Sequence, residues 1–474
     1  MNEQDIYEGI GQVDDEILLR SEQKKHRRRW WISGLAAVLV VAVAVGALLP
    51  GRQSVVPTAY ALAVADYPEM AQYPDESAGN FESQYRAWRE DQEKQRRDSA
   101  YADGLAPFLT SSIATFLSGA GEENRVYSPL NVYMALAMLA EVTGGESRAQ
   151  VLNLLGSDSL ESLRSQASDL WNDHYCDDGA TTSILASSLW LDEGISYNQD
   201  TINTLAETYY ASTFRGQMGD AAFTQVLRDW LNEQTGGLLE AQTGGIELTP
   251  ATILALATTI RYQAKWSEEF REENTTPETF YAPTGAVTVD FMHKSTWDTY
   301  YRGAQFGAIR RYFENGAGSM WLILPDEGAT PEELLAEGEA AAFLLSAGNW
   351  EAAELRDINL ALPKFDVVSQ LELSEGLRAL GVTDVFDETE SNFEPMLSQQ
   401  PDDPIILSQV QHDVRVTVDE EGVAAVAYTV MSADAATDAM DEPEELDFIL
   451  DRPFLFVITD DLGLPLFVGI VNQP

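Results

Sequence analysis

Few side chains in this chain of 474 residues could do metal or nucleophilic chemistry. It has four histidines and a single cysteine, Cys176. The run from Asp173 to Asp178 mixes metal-ligand types, but no second cluster completes a tetrahedral site, so an exposed loop is the simpler interpretation. One cysteine excludes an internal disulfide framework. The sequence contains neither a Gly-x-Ser-x-Gly elbow nor a His-Glu-x-x-His zinc motif, and we predict no enzyme, no metal and no cofactor.

A second pattern concerns the backbone rather than a reactive side chain. Val416, Thr417 and Val418 begin a β-branched run typical of a strand, which ends at Gly422, a residue free to turn. Small residues follow, and then an acidic, Ser- and Ala-rich stretch up to Glu445. One interpretation is a strand with a long surface loop, and such loops are functional or disordered. Small residues at alternate positions also let a segment fit between existing strands, so the sequence predicts a loop that can itself become a strand.

The bulk composition limits the class of protein. Hydrophobic residues make up 45% and aromatic residues 10% of the chain, as in globular proteins. The length fits one large domain with appendages. The formal net charge is −48, which argues against a nucleic-acid partner, because binding to phosphates needs clustered Lys and Arg. We interpret the acidic surface as solvated.

The N-terminal region carries a basic cluster directly before an uncharged stretch from Trp30 to Pro50. About twenty residues at about 1.5 Å each reach roughly 30 Å, which is enough to cross a bilayer. We therefore expect a cytoplasmic basic tail at 1–29, a transmembrane signal-anchor at 30–50, and a cell-membrane location with the main domain extracellular. A cleaved secretory signal, which would give a secreted form, is the alternative. Prolines interrupt the next segment, so 51–100 is predicted to be an extracellular spacer.

After residue 100, helix and strand signals alternate without the regular rhythm of a parallel-sheet enzyme. Leu105–Leu117 and Leu130–Ala140 are apolar at helical spacing. Short, bulky, strand-like runs occupy Ser187–Leu191, Trp321–Leu324 and Phe454–Ile458. The mixture predicts one α+β domain over 101–474.

A series of short motifs runs through this domain. They include Asn124 to Val132, Ser187-Ser188-Leu189-Trp190, Lys265-Trp266, Leu324 to Gly328, Leu362-Pro363-Lys364-Phe365, Leu380-Gly381-Val382, His412 to Gly422, Arg452 to Phe456, and Phe467-Val468-Gly469. They resemble, in the same order, the motifs of the serpins, a family of serine protease inhibitors. Each motif alone is weak, but a dozen in the correct order is specific. The resemblance implies the serpin fold: a large central mixed β-sheet, two smaller sheets, about eight to nine helices and an exposed reactive-centre loop at about 422–447.

The resemblance also implies a function, that of a covalent suicide inhibitor of extracellular serine proteases. In serpins, the target protease attacks the reactive-centre loop as a substrate. After the acyl bond forms, the loop inserts into the central sheet and carries the protease with it, so the inhibitor supplies bait and stored strain but no catalytic residue. The intact fold would be kinetically trapped. We expect a monomer, and the alternative is a non-inhibitory serpin that serves as a binding or storage module.

The hinge of the loop bears on that choice. By alignment, Gly422 is the hinge glycine, and Val423, Ala425, Ala427 and Thr429 would point into the sheet after insertion. All four are small or β-branched and none is charged, so insertion is permitted. The sequence departs from the family at position 423, where serpins usually carry Thr or Ser.

Two control sites follow from the resemblance. Glu420 matches the hinge acid that pairs, in the family, with the lysine of the Leu-Pro-Lys-Phe motif. That lysine is Lys364, expected near Trp266 at one end of the sheet.

The second control site is His412. It matches a buried histidine at the centre of the sheet, hydrogen-bonded near Ser128. Thr258 stands where serpins carry an Asn, so the hydrogen-bond network around the histidine is expected to differ.

The reactive bond is placed by family spacing from Glu420. It falls near Ala436-Thr437, and because the loop is longer than in short serpins, Met440-Asp441 is a second candidate. Between residues 415 and 452 there is no Lys or Arg, which excludes bait for trypsin-like enzymes. Small residues suit elastase-like or subtilisin-like proteases.

Overall fold

The computed structural model describes residues 59–75, 77–95, 102, 104–239, 243–346, 348–401, 403–423 and 443–474. In these ranges it has ten α-helices and seventeen β-strands. The helices are α1 Phe81–Gln95, α2 Ala106–Leu117, α3 Pro129–Val142, α4 Gly145–Leu154, α5 Leu160–His174, α6 Gln199–Thr208, α7 Ala221–Gln234, α8 Pro331–Ala336, α9 Glu339–Leu344 and α10 Ser374–Ala379. The predicted α+β class is confirmed, with one helix more than the upper expectation.

The strands form two sheets. They are β1 Ala61–Ala63, β2 Arg125–Tyr127, β3 Cys176–Asp177, β4 Thr182–Asp192, β5 Ala211–Gly216, β6 Leu254–Lys265, β7 Thr275–Ala282, β8 Gly285–Arg302, β9 Phe306–Tyr312, β10 Ser319–Pro325, β11 Ala353–Pro363, β12 Phe365–Glu372, β13 Leu407–Val418, β14 Gly422–Val423, β15 Glu445–Ile449, β16 Phe454–Thr459 and β17 Pro465–Val471.

The central sheet has eight strands in the order β1-β5-β4-β6-β14-β13-β12, with β3 beside β4. Strands β4 and β5 are parallel, as are β6 and β13, whereas the other pairings are antiparallel. This is the large mixed sheet that the sequence predicted. It contains the candidate hinge residues Gly422 and Val423.

The second sheet has nine strands in the order β15-β11-β8-β9-β10-β16-β17-β2, with β7 beside β8. We expected two smaller sheets. Strand β8 is 18 residues long and pairs along most of its length with β7 and β11. It reaches β9 only through the pairs Tyr301–Ala308 and Arg302–Gly307, and this corner joins two groups of strands into one sheet.

Helix α3 fills the space between the two sheets. It contacts β4 and β6 of the central sheet and β17 of the second sheet. All of its residues are buried, which explains why most of them are apolar. Pro129 occupies its first turn, where a missing amide hydrogen costs nothing.

The described residues 59–75 and 77–95 belong to the folded body, although we expected a spacer over 51–100. Strand β1 pairs antiparallel with β5 and so extends the edge of the central sheet. The Tyr73 amide donates to the Asp178 carbonyl at 2.7 Å, and Trp88 of α1 is 7% exposed. Burial of these aromatic side chains holds the segment on the domain.

The expected location at a cell membrane needs correction. A membrane-spanning helix needs about 20 apolar residues. The longest helices in the described ranges, α1 and α5, have 15 residues each, and no described helix is long and apolar enough to cross a bilayer. The predicted tail at 1–29 and anchor at 30–50 lie outside the described residues, so the structure shows no membrane anchor.

Candidate functional site

The central sheet forks between β6 and β13. The two strands pair in parallel from Leu254 opposite Leu407 to Thr259 opposite Asp413, and their pairing stops there. At the far end of the fork lies the short strand β14, which pairs antiparallel with both neighbours. The sheet is therefore closed at one end and has accepted the first two residues of a new strand at the other.

Gly422 allows the backbone of β14 to lie close to that of β6. A β-carbon at position 422 would lie 2.1 Å from the Ala264 carbonyl oxygen and 2.8 Å from Lys265 Cα. Only glycine fits here without a shift of the backbone. The next residue, Val423, lies opposite Val418 and Ala264 and is 1% exposed. The expectation that the loop begins exposed is therefore wrong for these two residues, because an apolar side chain follows a glycine into the sheet.

The turn between β13 and β14 is held by Trp266. Its indole Nε1 donates to the Asp419 carbonyl and its backbone amide to the Glu421 carbonyl, both at 2.9 Å. The indole is fully buried and stacks on Phe313, with 4.9 Å between ring centroids. A third bond runs from the Phe270 amide to the Glu420 carbonyl at 3.0 Å. These bonds hold the turn that connects β13 to β14.

The structure brings Lys364 and Glu420 together in an ion pair. Lys364 Nζ lies 2.7 Å from Glu420 Oε2, and Thr275 Oγ1 donates to Glu420 Oε1 at 2.8 Å. Burial raises the pKa of Glu420, but the bonds from Lys364 and Thr275 more than offset it, so the net pKa lies below its usual value. Its partner has a raised pKa, chiefly through the same bond. The site therefore favours a charged pair.

His412 connects the two strands at the closed end of the fork. Its Nε2 accepts from the Ser128 amide at 3.0 Å, and its Nδ1 lies 2.9 Å from Thr258 Oγ1. Because Nε2 is an acceptor, the neutral ring carries its hydrogen on Nδ1 and donates to the threonine. Burial lowers the pKa of His412 to about 3. Thr258 lies directly opposite His412 in the β6–β13 ladder, so this bond must break if the strands part.

Comparison with known proteins decides the family. A family model described as Serpin (serine protease inhibitor) matches residues 108–474. The chain belongs to the serpin family. Membership supports protease inhibition as the general function, and a role other than catalysis.

Several known proteins align with most of this serpin. An uncharacterized serpin-like protein of Thermococcus kodakarensis is 29% identical over 75% of this chain and 82% of its own length. Serine protease inhibitor 88Ea of Drosophila melanogaster is 28% identical over 78% and 90%, respectively. The crystal structure of tengpin, a thermophilic serpin in the native state, matches with a TM-score of 0.70 and 24% identity over 80% of this chain and 95% of that one. This structural likeness confirms the predicted serpin fold.

Part of the predicted site lies outside the described residues. This holds for the hinge residues Ala425 and Ala427 and for both candidate reactive bonds, Ala436-Thr437 and Met440-Asp441. The structure describes the other predicted residues of this serpin. These residues form two groups. The first surrounds the turn between β13 and β14, and the second surrounds His412.

Sequence reasoning missed two residues of the fork, Thr275 and Asp413. Thr275 comes from β7, remote in sequence from the hinge acid it binds, and no local pattern marks it. Asp413 is a buried acid in strand β13, directly after the predicted buried histidine. An acid directly beside a predicted buried histidine is a signal that the sequence alone offers.

The Asp173–Asp178 run does not form a metal site in the described structure. Across those ranges, no three His, Cys, Asp or Glu side chains are placed to hold a metal ion. His174 instead pairs with Asp460, with 3.0 Å between Nε2 and Oδ2. Burial is the main cause that raises the pKa of the Cys176 thiol well above its usual value, which disfavours a reactive thiolate.

Proposed function

We propose that this serpin is a covalent suicide inhibitor of serine proteases. The observation that carries the proposal is β14: Gly422 and Val423, the first residues of the predicted reactive-centre loop, lie in register between the two strands that full insertion would separate. A strand that has started to insert needs only cleavage of the loop to continue. Insertion then adds backbone hydrogen bonds to two open strand edges.

The register of β14 defines what further insertion would bury. Continued by two residues, it would bring Ala425 between Val416 and Tyr262, and by two more, Ala427 between Val414 and Ile260. These four flanking side chains are all buried. Small residues suit such positions, because a bulky or charged side chain would collide with a packed core. The alternate position, 424, would lie between Thr417 and Gln263, which are only half-buried.

The residue before the reactive bond is proposed to be small. Ala436-Thr437 is the first candidate bond and Met440-Asp441 the second, and elastase-like or subtilisin-like proteases are the proposed targets. The absence of Lys and Arg between 415 and 452 supports this, because trypsin-like pockets need a basic residue.

Incubation with elastase, subtilisin and trypsin, followed by denaturing gels, tests the proposal. We expect a covalent band near the summed mass of inhibitor and protease with elastase or subtilisin, and none with trypsin. Mass spectrometry of the released C-terminal peptide locates the cleaved bond. Complete loop cleavage without a covalent band for every protease would show a non-inhibitory serpin.

Two adjacent alanines offer a matched pair of variants. Ala425→Arg would place a guanidinium in the core on insertion, so we expect cleavage without trapping. Ala424→Arg would place the same group on the half-buried face, so trapping should persist. Equal trapping by both variants would contradict insertion in the register of β14.

A further inference from the structure

Asp413 lies where the central sheet forks. It is opposite Thr259 at the last step of the β6–β13 ladder, and Thr259 Oγ1 donates to its carbonyl oxygen at 3.0 Å. Because side chains alternate along a strand, its carboxylate is on the face opposite that of His412. The residue is 1% exposed.

Only one of the two carboxylate oxygens of Asp413 accepts a hydrogen bond from a described residue. Gln411 Nε2 donates to Oδ1 at 2.8 Å, whereas Oδ2 accepts no hydrogen bond from any described residue. Burial raises the pKa of Asp413 to about 6, although the amides of Gln411 and Gln370 act in the opposite direction. At neutral pH the closed junction therefore contains a buried, ionised carboxylate with one bare oxygen, which costs free energy.

No described counter-ion relieves this cost. The charged side chains on the same face of β13 and of the adjacent strands β6 and β12, or on the helix α7 that packs on β6, are Arg415, Arg261, Lys265, Asp366, Glu372, Arg228, Asp229 and Glu233. Arg415 and Asp366 pair with each other at 2.6 Å. Within the described residues, none of these groups forms an ion pair with Asp413.

We propose that Asp413 is a positioning residue for loop insertion, whose buried carboxylate weakens the closed junction so that β6 and β13 part quickly. The inference rests on the proposed function as an inhibitor. When the strands part, water reaches the carboxylate and its desolvation cost is released. Asp413 thus accelerates the opening of the sheet, the step that competes with hydrolysis of the acyl bond.

Uptake of a synthetic peptide with the sequence of residues 423–436 by the intact serpin measures this opening without any protease. At pH 7.5, we expect Asp413→Asn to take up the peptide more slowly than the wild type. The upper limit is roughly a hundredfold, which corresponds to a pKa about two units above the usual value. At pH 5 the two rates should converge, because the wild-type carboxylate is then protonated. His412 is present in both proteins, so its titration cancels in the ratio.

Asp158→Asn, which removes an exposed carboxylate, is the matched control and should leave the rate unchanged. Equal rates for wild type and Asp413→Asn at pH 7.5, or a ratio that is constant with pH, would overturn the proposal. Asp413→Ser should slow uptake in the same pH-dependent way. Failure of both variants to fold would also contradict it, because loss of the charge should stabilise the closed sheet. A serpin that shows these effects but traps no protease would refute the proposed function alone.

Discussion

Gly422 passes so close to Ala264 that a β-carbon on the glycine would lie 2.1 Å from the alanine carbonyl oxygen. This contact places the beginning of the proposed reactive-centre loop inside the central sheet. The intact serpin is thus poised part-way along the proposed insertion, held there by the turn at Trp266.

Gly422→Ala is expected to displace β14 from the fork, because the added methyl group would collide with backbone atoms that cannot move aside cheaply. Displacement would break the bonds to Trp266, so its fluorescence should change, and limited proteolysis between 419 and 423 should become faster. Gly79→Ala is the control, since a β-carbon there meets no atom within 4 Å. Wild-type fluorescence and proteolysis in Gly422→Ala would show that the contact is not restrictive.

The ion pair between Lys364 and Glu420 should stabilise the hinge above acidic pH. Since the pKa of Glu420 is lowered on folding, its contribution is fully present above its unfolded value of 4.5 and is lost as the pH falls through the folded value. We expect Glu420→Gln to lower the free energy of unfolding at pH 7 by about 1 kcal/mol, because the lysine is partly exposed. Urea denaturation at pH 7 and pH 3 measures this.

At pH 3 the difference between wild type and Glu420→Gln should be smaller. Asp326→Asn, which breaks the more exposed pair with Arg302, is the control and should leave Trp266 fluorescence unchanged. A difference that is as large at pH 3 as at pH 7 would show that packing, not charge, is responsible.

His412 should make the intact fold sensitive to acid. Its pKa is about 3 in the folded state and 6.5 ordinarily, so the unfolded chain binds protons first as the pH falls. Between pH 7 and pH 5 this group alone should reduce stability by about 2 kcal/mol. Urea denaturation of wild type and His412→Ala across this range checks the effect.

His412→Ala should be less stable at pH 7 by about 3 kcal/mol, through the cavity and the unpaired Ser128 amide. Its stability should then depend less on pH than that of the wild type. His293→Ala removes a partly exposed histidine as the control. Parallel pH profiles for wild type and His412→Ala would contradict the assignment.

Trp88 is expected to hold the N-terminal segment on the domain. Its ring packs against Tyr73, with 5.1 Å between ring centroids, and the Tyr73 amide donates to the Asp178 carbonyl of the domain at 2.7 Å. Trp88→Ala should cost about 3 kcal/mol of local stability. Hydrogen exchange in α1 and β1 should therefore become faster, whereas exposed Arg89→Ala should have little effect. Unchanged exchange in Trp88→Ala would show that other contacts hold the segment.

Local patterns in the sequence determined the class of fold. The predicted helix at Leu130–Ala140 lies within α3, and the apolar runs at Ser187–Leu191, Trp321–Leu324 and Phe454–Ile458 lie within β4, β10 and β16. Such patterns are readable because hydrophobic periodicity depends on residues only a few positions apart. The order of the motifs likewise determined the family, whereas the identity of the hinge residues stays a prediction.

Tertiary structure alone decided how far the hinge has inserted and what surrounds it. Gly422 meets Ala264, and Thr275 meets Glu420, across more than a hundred residues of chain. The isolation of the Asp413 carboxylate also depends on which groups the neighbouring strands bring near it, and so does its raised pKa. Contacts of this kind follow from sheet register and from the packing of distant segments, and no pattern within a short stretch of sequence encodes them.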